Sequence, residues 1–175
     1  MKKISSYLLF LLLNQIDLQY VVGLSSLNNY ISRFRMVFLR ACGASVGSNT
    51  VIRARATIVN PRNLVIGENC TIGRNCNLMN FATVCIGNDV EIGPDCVFQT
   101  NEHVVETFDK PLGQQGATYQ EIKIGDGCYV GANVTFLSGV QISSQIMIGA
   151  KSLVNKDLSD KGLYGGVPCR LKKVY

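Results

Sequence analysis

The sequence predicts a parallel β-helix, a coil of short strands stacked rung upon rung, and three observations predict it. Segments beginning at Val46, Ile66 and Ile86, each followed by Gly, align at a spacing of 20 residues, and two more beginning at Ile124 and Ile142 align at 18. Within them an aliphatic or aromatic residue recurs every six positions, as in Ile66, Ile72, Leu78 and again in Ile124, Val130, Phe136, Ile142, Ile148, Val154. The position two before each of these is small or apolar, as in Cys70-x-Ile72 and Val140-x-Ile142. A period of two puts both residues on one buried strand face, and its interruption every six residues marks a bend. Three such sides close one triangular coil of about 18 residues, the hexapeptide form of a repeat architecture. Glycine after the aliphatic is expected to supply bend angles closed to residues with a Cβ.

The elements follow in chain order. Residues 1–45 precede the repeat and read as a helical segment. Tyr7–Leu13 is an apolar run of seven, too short to span a bilayer. Lys2 and Lys3 imitate a signal peptide, but Asn14, Gln15, Asp17 and Gln19 intervene before the nearest small-x-small site at Gly23–Ser25, which reads against export. Leu27, Tyr30, Ile31, Phe34 and Phe38 then follow helical spacing with Arg33, Arg35 and Arg40 interleaved. One reading is a cap that covers the open edge of the first coil. The other is a basic amphipathic helix on a membrane surface, with contact through residues 1–40. Both are compatible.

The coil occupies residues 46–158. Its hexads stop between Val104 and Glu121 and resume at Ile122, so residues 104–121 are expected as a loop thrown out of the stack. Such excursions often carry function. Residues 159–175 form a tail.

Composition bounds the remaining classes. The chain has 175 residues, 47% of them hydrophobic and only 17% charged, which suits one folded domain and excludes general disorder. A net charge of +5 is mild and falls short of a nucleic-acid binder. The single histidine, His103, makes a metal site with two or three His ligands on one chain impossible. No metal is expected. The seven cysteines are odd in number and lack a C-x-x-C pair. Cys70, Cys76, Cys96 and Cys128 fall in the small inward slot of the hexads, where a thiol acts as a small hydrophobe, so a reducing cytoplasm is the expectation. Cys42, Cys85 and Cys169 lie outside that slot.

His103 stands where the repeat breaks. Imidazole titrates near ~6.5 and suits removal of a proton from an attacking hydroxyl. No nucleophile–base–orienter set can be composed from the serines, and a G-x-S-x-G elbow is absent.

From about residue 42 to 172 the chain resembles the left-handed β-helix, hexapeptide-repeat acyltransferases. It is most similar to the maltose and galactoside acetyltransferase branch and its relatives acting on capsule and lipopolysaccharide sugars. Ile124–Gly131 (IGDGCYVG), Phe136–Val140 (FLSGV), Ile148–Ser152 (IGAKS), Val154–Asp157 (VNKD) and Gly166–Arg170 (GVPCR) carry the likeness. Three positions depart from the pattern: Tyr129 stands for a usual Trp, Ser138 for Pro and Lys151 for Gly.

The resemblance implies left-handed coiling, a homotrimer with sites between subunits, and acetyl-CoA as cosubstrate. It implies His103 as general base and the Ala132 amide as oxyanion donor. Backbone at Ala132 and Ala150 would meet pantetheine, and Lys156 and Arg170 the 3′-phosphate, the tail thereby completing the donor site. Asn80 matches an acceptor-side Asn, although a plain turn asparagine fits equally. Independently of the resemblance, Glu102, Glu106 and Asp109 lie near His103 in sequence, and one of them is a candidate to orient it or bind a sugar hydroxyl, whereas in similar enzymes a backbone carbonyl often orients the imidazole.

The function expected is acetyl-CoA-dependent O-acetylation of a sugar hydroxyl in surface polysaccharide or glycan-precursor synthesis. The enzyme would be cytoplasmic, with a sugar or glycan acceptor and no nucleic-acid partner. N-acetylation of an amino sugar and a non-catalytic binding scaffold stand as alternatives.

Overall fold

The computed structural model describes residues 2–16 and 25–175, and among them it shows two helices followed by five stacked coils. The Asp17, Gln19 and Gly23 positions of the export argument lie outside the described residues.

Each coil contributes one strand to each of three parallel sheets. The first sheet stacks Ser45–Val46, Leu64–Ile66, Val84–Ile86, Ile122–Ile124 and Gln141–Ile142. The second runs from Val51–Ile52 through Thr71–Ile72, Glu91–Ile92, Tyr129–Val130 and Met147–Ile148 to Gly162–Gly165. The third runs from Thr57–Ile58 through Asn77–Met79, Val97–Gln99 and Thr135–Phe136 to Leu153–Val154. Registers pair like with like: Ile66 with Ile86, Ile86 with Ile124, and Leu78 with Phe98. The hexad aliphatics therefore form continuous interior columns, and the Phe98 and Phe136 rings stack at 4.8 Å. Cys70, Cys76, Cys96 and Cys128 are buried in the inward slot, as their spacing predicts.

The hexad glycines do a different job from the one expected. Positive φ at the bends belongs mainly to the residue two places later: Asn49, Asn69, Asn75, Asp89, Asp95, Asn133 and Lys151. Asn and Asp tolerate this conformation better than other side chains, and here they also bridge coils. Asn49 Nδ2 donates to Asn69 Oδ1 at 3.2 Å, and Asn69 Nδ2 to Asp89 Oδ1 at 3.1 Å. The glycine is needed because neighbouring coils approach closely. A Cβ on Gly93 would lie 2.7 Å from the Ala132 nitrogen.

Helix α1 (Lys2–Asn14) and helix α2 (Ser25–Ala41) pack on each other at the first coil. The buried side of α2 is Ser32, Arg35, Met36 and Leu39. This differs from the expected cap face: Leu27, Tyr30 and Phe34 are exposed, and Ile31 and Phe38 only partly covered. Arg35, 1% exposed, replaces them as the organising contact. Its guanidinium donates to Leu13 O at 3.1 Å and Ile16 O at 2.6 Å, at the end of α1, and to Ile52 O at 3.2 Å in the first coil. Carbonyls orphaned at a helix C-terminus favour a cation. An apolar side chain could not satisfy them, which explains why Arg35 is turned inward with Met36 and Leu39.

Candidate active site

The chain leaves the coil at Thr100, which is fully buried. Its hydroxyl donates to Met79 O at 2.8 Å and accepts from Ala82 N at 3.0 Å, filling the place a ladder bond would take. Its carbonyl accepts from Gln120 N at 3.0 Å and from the Ser138 hydroxyl at 3.1 Å. These bonds root an antiparallel hairpin in which Asn101 pairs with Tyr119, Glu102 with Thr118 and His103 with Ala117. The excursion thus begins at Asn101 rather than at 104. His103 lies on its first strand instead of closing the third coil, because Asn101–His103 pair with residues 117–119 and not with a coil below.

Alternation along these strands puts Asn101, His103, Ala117 and Tyr119 on one hairpin face, with Glu102 and Thr118 on the other. Glu102 is exposed and faces away from the imidazole. The Asp109 carboxylate accepts from Thr107 Oγ1 at 3.0 Å, and the Glu106 amide donates to Gln115 Oε1 at 2.7 Å. The structure brings neither to His103. Sequence reasoning passed over Gln115, whose amide nitrogen also donates to Thr107 O at 2.7 Å and Lys110 O at 3.0 Å, holding the tip together. Gln and Asn are easily read as filler in a loop.

Asn80 is fully buried and its amide is committed. Oδ1 accepts from Val59 N at 3.1 Å and Asn60 N at 3.0 Å, and Nδ2 donates to Asn60 O at 2.6 Å. Of the two readings of Asn80, this geometry fits the turn asparagine, since no polar atom remains turned to an acceptor. The neighbouring Phe81 is 43% exposed and meets Tyr119, 58% exposed, at 6.1 Å between ring centroids. The pair lies at the hairpin base on the face that carries His103. An exposed Phe beside a buried Asn at the corner before the excursion is the signal that could have found it.

Lys156 and Arg170, expected from the resemblance on the donor side, come together at the other end of the coil. Lys156 and Arg170 line a single pocket of about 350 Å³ with Ser159, Tyr164, Asp157 and Asp160. Arg170 is brought there by the segment after Tyr164, where Leu153 N donates to Gly166 O at 3.0 Å and Cys169 N to Leu153 O at 2.7 Å. The strand Gly162–Gly165 also extends the second sheet, so residues 159–175 continue the coil before turning back.

Ala132 and Ala150 occupy the same corner of the fourth and fifth coils. A Cβ on Gly131 would lie 2.6 Å from the Ala150 nitrogen, so the coils are close here, but neither the Ala132 nor the Ala150 amide N–H donates a hydrogen bond among the described residues. At the preceding corner the equivalent amides are capped: Glu68 N by Asn88 Oδ1 at 2.9 Å, Asn88 N by Asp126 Oδ1 at 2.7 Å, and Asp126 N by Ser144 Oγ at 3.1 Å. Two open donors in a row, on a rigid scaffold, can take a chain of carbonyls or a developing oxyanion. Among the described residues no group of three or more His, Cys, Asp or Glu could hold a metal.

Five of the cysteine thiols are raised from their ordinary value. Burial pushes Cys70, Cys85, Cys128 and Cys169 up from the ordinary value, and the hydrogen bond with Cys96 together with burial pushes Cys76 up. Cys96 runs the other way, its hydrogen bond with Cys76 holding it below the ordinary value, but it is fully buried and presents no thiolate to solvent.

No family model matches the chain. It is 40% identical to a galactoside O-acetyltransferase of Lactococcus lactis over 63 residues, 35% of this chain and 30% of that protein. The match therefore spans less than a third of the length of that relative. Among solved structures, a galactoside acetyltransferase in complex with coenzyme A has a TM-score of 0.79 at 25% identity, covering 99% of this chain and 80% of that one. A hexapeptide-repeat acetyltransferase from Vibrio cholerae has a TM-score of 0.81 at 24% identity over 98% and 89%. These likenesses bear out the parallel β-helix expected from the repeat and the left-handed form that the resemblance implies.

Proposed function

We propose that this protein is an acetyl-CoA-dependent O-acetyltransferase of a sugar hydroxyl, acting by direct attack. Two observations carry the reading: Lys156 and Arg170 share one pocket, and the Ala132 and Ala150 amides at two successive coil corners are open among the described residues. A 3′-phosphate suits paired ammonium and guanidinium groups, and the open amides suit the pantetheine carbonyls. The relatives named for galactoside acetylation and the neighbour that holds coenzyme A support the same chemistry.

In the proposed step the acceptor oxygen attacks the thioester carbonyl carbon while His103 takes the hydroxyl proton. The Ala132 N–H donates to the tetrahedral oxyanion. Collapse breaks the carbon–sulfur bond, and the imidazolium returns its proton to the departing thiolate. The Phe81–Tyr119 pair, on the face of His103, offers a surface for the apolar side of a sugar ring, since an aromatic ring buries area at low entropic cost.

His103 and the donor pocket belong to different parts of one chain, so the site is proposed to form between copies in a homotrimer. Val105 and Phe108, 50% and 87% exposed on the hairpin tip, supply apolar area for such a contact. A role in surface polysaccharide or glycan-precursor synthesis, in the cytoplasm, is proposed on the same resemblance.

The test is calorimetric titration of acetyl-CoA, CoA and 3′-dephospho-CoA into the purified protein. Micromolar binding that weakens without the 3′-phosphate supports the donor site. Absence of binding at millimolar donor, with fold and assembly intact, overturns it in favour of a scaffold. Matched hydroxyl and amino acceptors, assayed side by side, then separate O- from N-transfer.

A further inference from the structure

We infer that the N-terminal helix pair is a docking face for an anionic lipid surface, used from outside the bilayer. α1 turns Phe10 and Asn14 inward and leaves Leu8, Leu9, Leu11 and Leu12 exposed, by 38 to 67%. α2 adds Leu27, Tyr30, Phe34 and Val37, exposed by 47 to 59% and spaced along one side of the helix. The cap needs none of them, because Arg35, Met36 and Leu39 already close the first coil. Scattered apolar residues on a surface need no explanation, but eight large ones exposed on two packed helices do.

Charge selects the occupant. The first 67 residues carry eight Lys or Arg and one acidic residue, Asp17, whereas the remaining 108 carry nine basic and eleven acidic. The whole positive excess of the chain therefore sits at the helical end. Arg33 and Arg40 also line a groove of about 380 Å³ with Met36, Val37 and Val51, beside the exposed stripe. A second copy meeting this end with its own would set like charge against like. An anionic headgroup layer matches it, with leucine and aromatic side chains entering the acyl boundary and arginines at the phosphates. Among the described residues no helix is long and apolar enough to cross a membrane, so the face lies on the surface. The inference is independent of the proposed acetyl transfer and is read without it.

The experiment is flotation of the full chain with vesicles of equal parts phosphatidylglycerol and phosphatidylcholine, and with vesicles of phosphatidylcholine alone. Binding to the anionic vesicles, at least tenfold weaker to the neutral ones and reduced by salt, is expected. The Leu8→Gln/Leu12→Gln/Phe34→Gln variant changes only outward side chains and is expected to lose binding while its circular dichroism and sedimentation coefficient stay unchanged. Arg33→Gln is expected to weaken binding to anionic vesicles alone. A wild type that stays soluble with both vesicles overturns the inference. So does a triple variant whose assembly falls apart, since the face would then join copies of this chain.

Discussion

Ser138 donates its hydroxyl to the Thr100 carbonyl oxygen at 3.1 Å, fastening the fourth coil to the point where the chain leaves the third. The two residues are 38 apart in sequence, and the hairpin with His103 hangs between them. Gly139 assists, because a Cβ there would collide with the Gln120 side chain that crosses it. Ser138 is one of the positions where the sequence departs from the pattern it resembles. A proline there would lack the hydroxyl this contact uses.

Ser138→Ala is expected to cost about 1 kcal/mol, the net worth of one hydrogen bond, and to raise amide exchange in residues 101–121 above that in the coil. Hydrogen-exchange mass spectrometry reads both regions at once. Equal exchange in wild type and variant would remove Ser138 from the anchor.

His103→Ala is expected to lower kcat by about 10²–10⁴-fold, the usual contribution of a general base. The dissociation constant for acetyl-CoA should stay within about twofold, well under the ~1.4 kcal/mol of a tenfold change. Turnover near that of wild type would end the assignment.

Lys156→Ala and Arg170→Ala each remove one cation from a shared pocket. Hydrogen bonds to charged groups contribute about 1.5–3 kcal/mol, so donor affinity should fall about tenfold or more. In the double variant the preference for CoA over 3′-dephospho-CoA should vanish. A preserved preference would place the phosphate elsewhere.

Tyr119→Ala is expected to raise KM for a sugar acceptor with little change in donor binding, and Tyr119→Phe to restore most of the loss, since the ring rather than the phenol makes the proposed contact. A rise in donor dissociation constant instead would show that the Phe81–Tyr119 pair only shapes the donor side.

Thiol chemistry tests the packing and the pKa directions together. Burial raises Cys70, Cys85, Cys128 and Cys169; of the seven cysteines only Cys85 is not classed as buried. Because reaction needs an accessible thiolate, labelling at neutral pH should be slow, at Cys96 through burial alone, since its hydrogen bond with Cys76 lowers its pKa. Labelling should increase as pH rises and reach Cys85 first, with all seven labelled only in denaturant. Rapid native labelling of Cys76 or Cys96 would contradict the closed interior.

The interior was legible because a six-residue period repeated across coils leaves little choice of register: a slip of one would turn every inward aliphatic to solvent. The same period placed four cysteines in the core and the break before Ile122. It also misled at the bends, where glycine drew attention to itself. The left-handed residues are mainly the Asn and Asp two places later, and the glycine answers to a neighbouring coil that a linear reading does not contain.

Sequence by itself determined the coil, its inward columns, the isolated histidine and the concentration of basic charge toward the N-terminus, because each is local or periodic. Only the tertiary structure decided which side of α2 is buried, that Asn80 is spent on a turn, that His103 shares a hairpin face with Tyr119, and that Lys156 and Arg170 line one pocket. Those outcomes depend on hydrogen-bond partners far along the chain. The Leu13 and Ile16 carbonyls that hold Arg35 at 3.1 and 2.6 Å compete successfully with water, and no spacing of residues records that competition.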